Sequence, residues 1–114
     1  MTDTQNAILL LSYAMGLLLG VGWTQRDYAK DVDGKWVDIQ TNFDQGAVVC
    51  YCPVGAMFAA GEALDASTDV RVLARQALRD VIGTGIIPWN DEPGRTLEDV
   101  IQKMVDATRL LKQV

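Results

Sequence analysis

The chain has 114 residues, 49% of them apolar and 22% charged, a composition that fits one folded domain spanning residues 1–114 and excludes an intrinsically disordered chain. Fifteen acids against ten bases leave a net charge of −5, so the mean field repels nucleic acid and anionic membranes and suits a neutral or basic partner. Histidine is absent, which removes imidazole acid–base chemistry, Ser-His and Cys-His pairs, and every His-containing metal site.

The first element is the uncharged run "AILLLSYAMGLLLGVGW", Ala7 to Trp23, which lies at the short end of what crosses a bilayer. No basic residue precedes it, which argues against a signal peptide. Ser12, Tyr13 and the glycines dilute it as a membrane span. A helix apolar on nearly all faces is expected to be buried, or to be completed by a second copy. A homodimer through this helix is therefore the expected assembly, with membrane insertion the disfavoured alternative. Gly20 and Gly22 are placed to end the helix.

Next, Tyr28, Val32, Trp36, Val37 and Ile39 flank Asp33-Gly34, a strong hairpin signal. The same "DVDG" superficially matches a calcium loop. Its first and last positions would be Ala29 and Gln40, neither a carboxylate, so the turn explains these residues better than a metal does.

From about Gln45 to Leu64 the chain is rich in Ala, with Pro53 inside. Proline suits a first helical turn, so the helix should start near Pro53, with Asp44 to Tyr51 as a separate turn leading in. Cys50 and Cys52 stand one residue apart, too close for an unstrained disulfide and only half of a zinc site. They read as small apolar residues in a reducing, cytoplasmic setting.

Ser67 or Thr68 caps the following helix, which buries Val70, Leu73, Ala74, Ala77, Leu78 and Val81 and stops at Gly83 and Gly85. Thr96 caps the last helix, with Asp99 in capping-box position and Leu97, Val100, Ile101, Met104, Val105 and Leu111 as its buried stripe. The fold expected is mainly α: a compact four-helix domain with one small β-hairpin after the first helix.

Two surfaces carry candidate chemistry. Arg71, Arg75 and Arg79 recur at four-residue spacing, a face able to grip an anionic ligand or an acidic partner surface, or else a solvated face partly neutralised by Asp69, Asp80 or acids of another helix. The stretch "IIPWNDEPGRTLEDVI" sets Trp89, Asn90, Asp91 and Arg95 before the last helix. Pro88, Pro93 and Gly94 read as loop residues, and Asn90 and Asp91 can bond neighbouring amides. Trp89 either closes over the core or offers a stacking platform.

The ordered set "GWTQ", "DVDGKWV", "CPVGAMFAA" and "IIPWNDEPGRTLEDVI" resembles a family of small bacterial and phage proteins known as a domain of unknown function. The resemblance covers about residues 20–105 and rests on Gly22, Trp23, Asp33, Gly34, Cys52, Gly55, Ala56, Trp89, Asn90, Asp91, Arg95 and Thr96. The first helix is more apolar than the family pattern. The resemblance implies a shared fold and brings no activity.

The functional expectation is a non-enzymatic protein-interaction or binding module without cofactor or metal. A phage or mobile-element accessory protein inhibiting a host defence protein is one form of it. An alternative is a small-molecule binder, or weak enzyme, that groups Trp23, Cys52, Trp89, Asn90, Asp91 and Arg95, with Asp91 as acid/base and Cys52 as nucleophile. A small membrane-associated protein is the third.

Overall fold

A computed structural model describes residues 1–39 and 47–113. Helix α1, Asp3–Gly20, begins at Thr2, whose hydroxyl accepts from the Gln5 amide at 3.1 Å while the Gln5 side chain accepts from the Thr2 amide at 2.9 Å. This capping box satisfies two donors that the helix cannot pair internally. The chain leaves the helix through Val21, in right-handed backbone, and then Gly22, whose φ of 154° suits a residue without Cβ and whose amide donates to the Leu17 carbonyl at 3.1 Å.

Strand β1, Ala29–Asp31, pairs antiparallel with β2, Val48–Tyr51, placing Ala29 opposite Tyr51 and Lys30 opposite Cys50. A small antiparallel strand pair thus follows α1 as expected, but β1 takes residues 48–51 as its partner and Asp33-Gly34 forms a turn after β1. It is closed by one bridge between Lys30 and Trp36 and by the Val37 amide donating to the Ala29 carbonyl at 2.9 Å. The Asp31 carboxylate accepts from the amides of Asp33 and Lys35, so its charge holds a turn. Residues 48–51, expected as part of a turn, form the second strand; residues 40–46, including Gln40 and the Asp44 to Gln45 boundaries, lie outside the described residues.

Helix α2, Pro53–Ala63, starts at the proline. Cys52 caps it, its sulfur accepting from the Gly55 amide at 3.3 Å. Gly55 backs onto the Tyr28 carbonyl so closely that a Cβ would overlap it. Helix α3, Thr68–Ile82, is capped by Ser67 and ends at Gly83, whose left-handed φ of 85° suits a residue without Cβ.

A further helix, α4, Ile86–Asn90, occupies a stretch expected as loop, so the described residues hold five helices where four were expected. Gly85 opens α4 instead of stopping α3. Pro88 is compatible because it sits in the first turn, where backbone N–H groups have no intrahelical acceptor. Helix α5, Leu97–Lys112, has the expected Thr96/Asp99 box, at 3.2 and 3.1 Å, and buries Val100, Met104, Ala107 and Leu111. Leu97, Ile101 and Val105 of the expected stripe are half-buried.

Helix α1 is the centre, packed against α2, α3 and α5, with Ala7, Leu10, Leu11, Ala14 and Leu18 fully enclosed. That explains an uncharged helix without a bilayer: its partners are three other helices. Among the described residues, no helix is long and apolar enough to cross a membrane. The strand pair and α4 adjoin α2, and the motifs that hold Trp23 and Trp89 come together.

Candidate functional site

Asn90 joins the segment after α1 to α4. It is 1% exposed, and its Oδ1 accepts from the Trp23 indole N–H at 2.8 Å while its Nδ2 donates to the Thr24 carbonyl at 3.2 Å. Gln25 adds two bonds from its Nε2, to the carbonyls of Asn90 at 2.8 Å and Glu92 at 3.0 Å. The Arg26 amide donates to Asp91 Oδ1 at 2.7 Å. That bond holds Arg26 at φ 77°, a left-handed conformation that costs an L-residue about 1–2 kcal/mol.

On the far side of α4, the Arg95 guanidinium lies 4.1 Å from the Trp89 ring centroid. Its Nε donates to the Trp89 carbonyl at 3.0 Å and its Nη2 to Glu92 at 2.7 Å. Trp89 is thus half-buried under its own cation and is not an open platform. Gln25 and Arg26 were missed in the sequence. Gln25 stands inside the "GWTQ" motif, and its presence there was the one available signal.

The six residues expected to share a pocket divide into two groups. Cys52, Asn90 and Asp91 line one cavity of about 190 Å³, with Tyr28 and Ile87 among its other walls. Trp23, Trp89 and Arg95 do not line it. Asn90 uses both polar atoms on Trp23 and Thr24, while Asp91 engages Oδ1 with the Arg26 amide. Burial pushes the Cys52 thiol up to about 11, the Asp91 carboxylate adding to the rise and the Gly55 amide opposing it. A thiol so shifted stays protonated near neutrality and is a poor nucleophile.

The arginine face is also divided. Arg71 is tied down: Nη2 meets Glu62 at 2.9 Å, Nε donates to the Ala66 carbonyl at 3.0 Å, and the guanidinium lies over Phe58. The neutralising acid comes from another helix, as one reading anticipated. Arg75 and Arg79 are exposed and form no ion pair among the described residues. They border a groove of about 280 Å³ between α3 and α4.

The outward face of α1 takes no part in the clasp or the arginine face. Gln5, Leu9, Ser12, Tyr13, Gly16, Leu19 and Gly20 are exposed along it. No charged residue occurs between Asp3 and Arg26. Leu9 is 43%, Tyr13 40% and Leu19 64% exposed. A Cβ added at Gly16 or Gly20 would meet nothing within 4 Å. The strip continues into a shallow groove that Leu19 shares with Leu97 and Ile101 of α5. Among the described residues no cluster of metal-ligating side chains occurs.

The fold is that of a small helical domain in which Trp23 and Gln25 of one motif and Asn90 and Asp91 of another meet in an internal clasp. The chain belongs to the family of unknown function DUF6197, whose model matches residues 2–110. The match extends the resemblance seen in the motifs to nearly the whole of α1 through α5. No curated protein and no solved structure matches the chain.

Proposed function

We propose that the chain is a non-enzymatic protein-interaction module that self-associates through the outward face of α1. The observation that carries this reading is the uncharged strip from Gln5 to Gly20, with Leu9, Tyr13 and Leu19 exposed along one helix face. Glycine inside a helix costs about 1 kcal/mol relative to alanine. Nothing in the protomer needs the space at Gly16 or Gly20, so the two glycines serve close approach by a second backbone. An 18-residue helix is about 27 Å long, enough to run a pair of crossing helices past one another. Burying each leucine adds about 1–2 kcal/mol.

Light scattering over a concentration series tests this. The wild type should be a dimer and Leu9→Glu with Leu19→Glu a folded monomer; a monomeric wild type at all concentrations would exclude the interface. The setting we propose is cytoplasmic, as an accessory protein of a phage or mobile element with host defence proteins among its targets. Its support is chain size and the family resemblance alone. The alternative, a small ligand beside Cys52, Asn90 and Asp91, would have to compete with hydrogen bonds those residues already make. A ligand-induced thermal shift lost in Tyr28→Ala, which removes a wall of that cavity, is its test.

A further inference from the structure

Independently of self-association, we propose that the groove between α3 and α4 binds an acidic segment of a partner protein, one that sets carboxylates on Arg75 and Arg79 and an apolar side chain between them. The three arginines of α3 share a face at four-residue spacing, where like charges repel. The fold relieves this at Arg71 alone, through Glu62 at 2.9 Å. Arg75 and Arg79 keep their charge unpaired among the described residues, on a protein of net charge −5. The mean field of the protein is negative, but two unpaired guanidiniums on one groove make a local cationic site complementary to carboxylates.

The floor says which kind. Val72, 59% exposed, faces Ile86, Ile87 and Pro88 across the groove. The groove's volume of about 280 Å³ is below that of sites that enclose a cofactor and suits one or two side chains. Phosphate or a nucleic-acid backbone would satisfy the arginines and leave that apolar floor uncovered. A peptide offering Asp or Glu on both sides of a Leu, Ile or Phe satisfies both, with the guanidinium forks taking carboxylates.

The test is a synthetic array of hexapeptides in which pairs of Asp or Glu flank one Leu, Ile or Phe, alongside the same set with Lys for each acid and a single-stranded oligonucleotide. Wild type, Arg75→Gln with Arg79→Gln, and Gly16→Arg are compared. The acidic set should be retained by the wild type and by Gly16→Arg, and weakened at least about tenfold in the arginine double variant. Amide shifts on titrating the best acidic peptide should centre on Val72, Gln76 and Ile87. No preference for acids, a preference that survives the double variant, tighter binding of the oligonucleotide, or a self-association abolished by the double variant would each overturn the proposal.

Discussion

Trp23 and Asn90 stand 67 residues apart in the chain and meet through a 2.8 Å hydrogen bond from the indole N–H to the amide oxygen. The bond closes the exit of α1 onto the last turn of α4, and the buried amide then has no polar atom left for a ligand. Asn90→Ala should cost about 2–4 kcal/mol in denaturant unfolding, because it strands the Trp23 donor and the Thr24 carbonyl as well as emptying a buried site. Trp23→Phe should cost less. The double variant should fall short of the sum of the two, since both remove the same bond.

Gly55 is fixed by the Tyr28 carbonyl, which a Cβ would overlap, and by the Cys52 amide donating to that same carbonyl at 3.0 Å. Gly55→Ala should therefore lower stability by about 3 kcal/mol or more, despite the better helix propensity of alanine. Gly16→Ala, where the space is open, should raise the melting temperature of the monomeric form. Parallel melts of the two variants check the contrast.

Burial raises the Cys52 thiol from 9.0 to about 11. A group whose folded value is raised favours the fold while protonated, so its contribution is intact below pH 9 and is lost as pH climbs toward 11. Cys52→Ser keeps an N-cap acceptor for the Gly55 amide. Between pH 8 and 10.5 the wild type should lose more melting temperature than this variant does. A thiol reagent at pH 8 should leave Cys52 unmodified until the protein is unfolded.

Arg95 serves Trp89 through its flat guanidinium, 4.1 Å from the ring centroid, and through the Nε bond to the Trp89 carbonyl. Lysine reproduces the charge and neither the stack nor the fork. Arg95→Lys should cost about 1 kcal/mol, read by denaturant unfolding. Equal stability would mean that the exposed Glu92 pairing is all that Arg95 contributes.

Local chemistry made most helices visible in the sequence. Pro53, Ser67 and the Thr96/Asp99 pair announce their helix starts because capping acts over three residues. Thr2 and Gln5 carry the same signature and were overlooked beside the apolar run that follows. Helix α4 was hidden because "IIPWN" is a single turn with Pro88 inside it, and prolines and Asn-Asp read as loop wherever the helix is shorter than its punctuation. Strand β2 is four residues long, and its partner β1 lies far back in the chain. The Asp33-Gly34 turn signal between them suggested a shorter pairing than the one formed. For the candidate site, residue identity was legible and role was not. Nothing local says that Asn90 is buried, that Arg71 has found Glu62 while Arg75 has not, or that Trp89 lies under Arg95. Those facts depend on which helices become neighbours.

The central claim, self-association through α1, is tested most directly by sedimentation equilibrium of Gly16→Arg beside the wild type, with thermal melts of both. A Cβ at Gly16 would meet nothing within 4 Å, so the arginine should leave the monomer folded while standing where the second helix would cross. The expected result is a dimeric wild type and a folded, monomeric Gly16→Arg. A dimer that persists in the variant, or a wild type that never dimerises, would contradict the account.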